Sequence, residues 1–209
     1  MKKIVEKFGI RIRFSLSIMV LFLCTIFLFL SNNVNAEDII SQTVPTTTDG
    51  TTVSTTTRQL TYNTTGGYYE INDYIDLRVL SYYVMSSKNC KDKTFKLIND
   101  IDMSASNLLV YTDANWAGAS NFLPIGGWSA INSNSYSSSN YFQGTFDGNN
   151  KTITGLKILK GTLSYYVGLF GYCEGATIND INIINATIQG HIYVGLLVGQ
   201  TNSNTNINN

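Results

Sequence analysis

Few side chains in this sequence could carry chemistry, and their spacing limits them further. The chain has one histidine, His191. A zinc peptidase needs two histidines one helical turn apart with a glutamate between them, so that site cannot be built. A Ser-His-Asp triad would have to use His191. It lies in Gln-Gly-His-Ile-Tyr-Val-Gly, no Gly-x-Ser-x-Gly elbow exists, and it reads as a solvated corner histidine. Glycoside hydrolysis wants two carboxyl groups a fixed distance apart. Asp100 and Asp102 come closest, because residues i and i+2 of a strand share a face; the competing reading is the charged outer face of a strand. Asp100, Asp102 and Asp147 sit in oxygen-rich stretches of the kind calcium favours, but no Asp-x-Asp-x-Asp-Gly loop or Gly-Asp nonapeptide repeat is present. The sequence therefore calls for no catalytic residue, no metal and no cofactor.

Recognition is a better fit than reaction. The stretch GGWSAINSNSYSSSNYF sets Trp128, Tyr136 and Tyr141 among Ser and Asn. Rigid aromatics among small polar residues make an adaptable contact surface, and aromatic faces with amide donors suit sugars. The bland alternative is an insertion whose aromatics fold back onto the scaffold. Cys90 and Cys173 could pair in an oxidising compartment or stay as two small buried residues; two cysteines do not make a disulfide framework.

The N-terminus says where such a surface would be used. Lys2, Lys3, Lys7, Arg11 and Arg13 form a basic region, Phe14 to Leu30 is an apolar run, and a polar stretch ends in Val34-Asn35-Ala36. This is the layout of a secretory signal, with cleavage between Ala36 and Glu37. The alternative is an uncleaved anchor, although the run is shorter than the ~20 residues that typically span a bilayer. Cleavage leaves nine basic and 13 acidic residues, a net charge of −4, with the bases scattered. No basic patch is available for nucleic acid or anionic lipid, and a membrane would be met only through the signal segment. The sequons at Asn63, Asn150 and Asn185 matter only in a eukaryotic secretory route.

The positioning elements follow. Residues 37–66 hold the Thr-rich tract TVPTTTDGTTVSTTT, without apolar period, and read as a disordered spacer. Tyr68 to Ile71 reads as a strand. Asn72 or Asp73 is a suitable N-cap for an amphipathic helix over about 73–86, in which Ile75, Val79, Tyr83 and Leu77, Leu80, Val84 recur at helical spacing. TFKLINDIDM alternates as one strand, with Phe95, Leu97, Ile101 and Met103 inward. Residues 104–141 read as long loops anchored by Trp116, Ile125 and Trp128. Phe142–Phe146 and Lys151–Leu159 read as strands joined by a tight turn at Asp147-Gly148-Asn149-Asn150, residues that tolerate positive φ.

The last fifty residues echo themselves. Tyr166-Val167-Gly168-Leu169-Phe170-Gly171 returns as Tyr193-Val194-Gly195-Leu196-Leu197-Val198-Gly199. Short β-prone runs, glycine corners and a period of this length indicate a solenoid, whose stacked coils share one aliphatic column. Asn at matching corners would ladder from coil to coil.

These two copies resemble GLUG repeats, with Gly168, Leu169, Gly171 and Gly195, Leu196, Gly199 as the repeat core. The segments before them, DYIDLRVL, TFKLINDIDMS, Leu123-Pro124-Ile125-Gly126 and FQGTFDGNNKTITGLKI, resemble the usual lead-in. Together they cover roughly residues 68–209. The resemblance implies a mainly β protein, a right-handed parallel β-helix over 67–209 with GLUG-like coils from about 142. It also implies a bacterial secreted or cell-surface protein, adhesin-like and non-catalytic, whose partner is a host or surface glycan or protein. Two alternatives stand beside it: the N-terminal repeat region of a larger surface enzyme such as a metallopeptidase, and a carbohydrate-active β-helix. The 127–141 loop is longer than the pattern, and the chain stops midway through a coil, so further coils are expected beyond Asn209. The 73–86 helix is expected to cap the first coil, where open strand edges would otherwise invite aggregation.

Overall fold

The computed structural model of the chain describes residues 39–112, 117–127, 140–161 and 164–209. The signal segment, its cleavage position at Ala36 and Glu37, and the expected contact or anchor residues Trp116, Trp128 and Tyr136 lie outside the described residues. The described chain is mainly β, with one α-helix near its N-terminal side and several small sheets.

The Thr-rich tract is ordered, which corrects the expected spacer. Strands β1 (Ser41–Thr48) and β2 (Val53–Gln59) pair as an antiparallel hairpin. Threonine is β-branched and suits extended backbone; Thr43 and Thr57 face each other with hydroxyls 2.6 Å apart. The Asp49 carboxylate closes the loop, accepting from the Thr51 and Thr52 amides and the Thr51 hydroxyl. Ile40, Val44 and Leu60 are buried in the main core. Three apolar side chains hold this tract because a neighbouring helix supplies the other wall.

That helix, α1 (Tyr74–Met85), starts as its sequence dictates. The Asp73 carboxylate caps it, accepting from the amides of Ile75 (2.9 Å) and Asp76 (3.0 Å). Arg58 of β2 bridges Asp73 and Asp76, tying the hairpin to the helix N-terminus. The expected single apolar face is corrected: no residue from Tyr74 to Met85 is exposed, and Asp76, Arg78 and Ser81 are buried beside Leu77, Val79, Leu80 and Val84. The hairpin packs on α1 and covers the side that would have faced water. Arg78 is fully buried and reaches four main-chain carbonyls: Pro45 and Thr46 of β1, Leu108, and Asn121.

The largest sheet has the order β15-β11-β7-β5-β4-β3, with β6 beside β7. Its strands are β3 (Tyr62–Asn63), β4 (Tyr68–Ile71), β5 (Thr94–Leu97), β6 (Ile101–Asp102), β7 (Thr145–Thr154), β11 (Thr177–Ile184) and β15 (Asn206–Asn208). Only β3–β4 is antiparallel; every other pairing in it is parallel. Three two-stranded parallel sheets complete the C-terminal half. They pair β8 (Lys157–Leu159) with β12 (Thr187–Gln189), β9 (Tyr165–Val167) with β13 (Ile192–Val194), and β10 (Phe170–Glu174) with β14 (Val198–Asn202). Registers such as Val167↔Val194 and Phe146↔Ile178 join segments 27 and 32 residues apart. Tyr69, Phe95, Phe146 and Ile178 share one register, and all four are buried. Phe142 and Phe170 extend this core, their rings 5.1 Å apart. On the outer face, Lys96 pairs with Asp147 at 2.8 Å, and the Asn208 amide donates to Asn179 at 3.0 Å. The second contact joins two asparagines in register on paired strands, not at corners.

Two strand assignments change. The TFKLINDIDM segment is two strands, β5 and β6, around a corner at 98–100, although Phe95, Leu97, Ile101 and Met103 are all buried as expected. The Asp147–Asn150 tight turn is instead a corner inside one strand, β7. Asn149 and Asn150 do take positive φ, 53° and 57°, but the chain bends there and continues parallel to β11 rather than reversing. Positive φ locates a corner without telling a hairpin from a bend. In the 104–141 region a 3-10 turn spans Ser106–Leu108, and Phe122, Leu123 and Ile125 are buried. The buried Asn121 side chain acts as a strand edge there, donating to the Met103 and Gly155 carbonyls and accepting from the Lys157 amide. Residues Ile40–Asn209 form one compact unit.

Candidate functional site

The repeated motif builds the most distinctive surface of the described chain. Val167 lies beside Val194 in the β9–β13 pair, so the first tyrosines of the two echoes, Tyr166 and Tyr193, are neighbours. Their rings stack with centroids 5.2 Å apart and planes 4° from parallel. Both residues have left-handed backbone, with φ of 63° and 57°. A bulky residue at positive φ is uncommon and costs on the order of 1–3 kcal/mol, so it persists only where the surroundings hold it. Here the last glycine of each echo allows it. A Cβ on Gly171 would stand 2.5 Å from the Tyr166 carbonyl oxygen, and one on Gly199 would stand 2.5 Å from that of Tyr193. The left-handed tyrosine and the glycine after it are two halves of one corner, made twice.

A second column runs beside the first. Phe142 bridges Cys173 in parallel, which sets Tyr141 beside Tyr172, and Tyr172 is in register with Gln200. The Tyr141 and Tyr172 rings meet edge-on at 6.0 Å, and Tyr172 lies 5.3 Å from Tyr166, joining the columns. Tyr165 adds a ring 6.5 Å from Tyr193, with His191 edge-on to Tyr165 at 6.2 Å. Tyr193 and His191 are exposed; Tyr141, Tyr165, Tyr166 and Tyr172 are half-buried. Burial, then the neighbouring phenols of Tyr193, Tyr172 and Tyr165, push the Tyr166 phenol above its ordinary value. Residues 161–209 contain no Lys or Arg, and their acids are Glu174 and Asp180. The ridge is therefore aromatic and hydroxylated, with no basic residue from its 161–209 side; on the Tyr141 side, Lys88 is exposed between Ser87, bonded to Asn140, and Asn89, bonded to Gln143.

Of the expected contact residues, Tyr141 belongs to this ridge, while Trp128 and Tyr136 lie outside the described residues. Tyr166, Tyr172, Tyr193 and Gln200 were not expected to take part. The signal for two of them was in the sequence, since each echo opens on tyrosine. Tyr172 needed the register.

The repeat-core residues divide by copy. Leu169 is fully buried, whereas Leu196 is 48% exposed, as is Val194 at 44% beside a buried Val167. Leu169 lies under the second copy, whose Leu196 carbonyl accepts its amide at 3.2 Å; among the described residues nothing lies over Leu196. The glycines Gly168 and Gly195 also meet, since a Cβ on Gly168 would stand 2.7 Å from the Gly195 carbonyl oxygen.

The other candidates serve the fold. Asp100 accepts from the Thr152 amide at 2.8 Å, Asp102 from the Ser104 amide and hydroxyl, and Asp147 is held by Lys96. Among the described residues no three His, Cys, Asp or Glu side chains gather as a metal set. Cys90 and Cys173 are free and buried, and burial pushes both thiols up to about 12.

Comparison with known proteins adds one likeness. The chain is 30% identical over 135 residues to halomucin of Haloquadratum walsbyi; the match covers 64% of this chain and 1% of halomucin. No family profile matches the chain, and no solved structure does.

Proposed function

We propose that this is an exported, non-catalytic protein, a right-handed parallel β-helix of GLUG-like repeats, that presents a recognition surface outside the cell. The tyrosine ridge is the observation that carries this reading. Six aromatic side chains meet on one part of the surface, two of them at left-handed corners that the fold makes in each copy of the motif. The parallel registers at intervals of 27 to 32 residues support the solenoid, whose coils align equivalent residues in columns. The basic and apolar N-terminal segment supports export. The likeness to halomucin, of which the match is 1%, supports placing such repeats within a longer protein.

The purified chain, run over an array of glycans and extracellular proteins and incubated with polysaccharides, tests the reading. Retention of a glycan or a protein without product is the expected result. Product release would favour the carbohydrate-active alternative. An array with no retained probe would count against display of a recognition surface.

A further inference from the structure

The ridge has a spacing as well as a composition. Its two columns climb one strand at a time, and neighbouring strands lie ~4.8 Å apart. The stacked pair Tyr166–Tyr193 keeps to that interval at 5.2 Å, and Tyr141, Tyr172 and Gln200 mark three successive levels beside it. An extended β-linked hexose chain advances by about one strand spacing per sugar. Such a chain laid across the strands would meet an equivalent side chain at each sugar. Phenol hydroxyls offer hydrogen bonds along the row, Gln200 marks its third level with its side-chain oxygen buried, and the outer side of the Tyr193 ring, opposite Tyr166, offers an apolar face. Aromatic body with polar tip is the combination that serves at such wet interfaces.

Charge narrows the ligand. With no Lys or Arg and two acids in residues 161–209, nothing there would offset the desolvation of a sulfate or a uronate. A neutral polymer has no such requirement.

We propose that the Tyr166–Tyr193 and Tyr141–Tyr172–Gln200 columns bind a neutral, extended polysaccharide whose chain runs across the strands, one sugar to each strand level. This rests on the display reading above and adds the ligand class and its direction.

Titration calorimetry of the purified protein with neutral β-linked hexose oligomers of two to six sugars, and with uronate oligomers of equal length, tests it. Affinity for the neutral series is expected to rise with each sugar up to three, one for each level of the longer column, and then level off. It is expected to hold when salt is raised from low to high concentration, since no ion pair is involved. Tyr193→Ala should weaken binding roughly tenfold, the value of one aromatic contact. Tyr193→Gly should weaken it equally without lowering the melting temperature, because glycine takes the left-handed backbone freely; a merely structural tyrosine would lose both together. Tighter binding of uronates, or affinity independent of chain length, would overturn the proposal. If neutral oligomers fail while the array still retains a protein or a charged glycan, the ligand assignment falls and display stands. If neither gives binding, both fall.

Discussion

Arg78 offers the sharpest test of how the N-terminal part is built. Its guanidinium is fully buried, and its hydrogen bonds run to carbonyls rather than carboxylates. It donates to Pro45 and Thr46, each at 2.7 Å, to Leu108 at 2.8 Å and to Asn121 at 2.6 Å. Tyr74 and Tyr111 place ring centroids 5.1 and 5.8 Å from it. Burial pulls the group below its ordinary range, and the phenols of Tyr111, Tyr74 and Tyr82 oppose that pull. Arg78→Met keeps most of the volume and removes every donor. Single charged hydrogen bonds contribute about 1.5–3 kcal/mol and are not additive; leaving the Pro45, Thr46, Leu108 and Asn121 carbonyls without their donor is expected to cost about 3–5 kcal/mol in all. For a domain of this size each kcal/mol moves the melting temperature by about 2–4 °C, so a fall of roughly 10–15 °C is expected. Arg78→Lys should recover less than half of it, since a point charge with three donors cannot match the planar fork. Thermal melts give the magnitude, and limited proteolysis between Thr48 and Val53 shows whether the hairpin is released first. A loss below about 1 kcal/mol, or a hairpin as protected as before, would refute the idea that Arg78 pins it.

Three other perturbations read different parts of the molecule. Leu169→Ala should cost about 3–5 kcal/mol as a buried deletion, and Leu196→Ala less than about 0.5 kcal/mol, although both occupy one motif position; chemical denaturation separates them. Cys90 and Cys173 should resist iodoacetamide at pH 8 in the native protein and react on denaturation, as peptide mapping would show, because burial holds both as neutral thiols. The Asp49 carboxyl should titrate near 2, held down first by the Thr52 amide and then by the Thr51 amide and hydroxyl. A depressed carboxylate stabilises the hairpin above its unfolded value of about 3.9, and that contribution is lost as pH falls toward about 2; carboxyl carbon shifts followed by NMR would report it.

The sequence was most legible where local chemistry decides the outcome. The Asp73 cap, the strand at Tyr68–Ile71, the inward positions Phe95, Leu97, Ile101 and Met103, and the positive φ at Asn149 and Asn150 each follow from side-chain type and spacing. It was least legible where a distant partner decides. The Thr tract lacks an apolar period, and only α1 and the Arg78 fork give Val44 and the Pro45 and Thr46 carbonyls something to pack on. The buried polar side of α1 cannot be foreseen for the same reason. Leu169 and Leu196 are identical to any pattern search, and only their different cover separates them. At the ridge, Tyr141 could be named from its setting, while Tyr172 enters through parallel register alone.

The register that stacks Tyr166 on Tyr193 is what turns a repeated sequence into a surface, and dityrosine formation measures it directly. Brief photo-oxidation of the native protein followed by peptide mapping should give a 166–193 crosslink, since these rings are parallel and 5.2 Å apart. It should disappear in Tyr193→Phe and in denaturant. Crosslinking of other neighbouring tyrosines, such as the exposed Tyr62 with the buried Tyr69 4.9 Å away, without any 166–193 product would contradict the parallel register on which the proposed recognition surface depends.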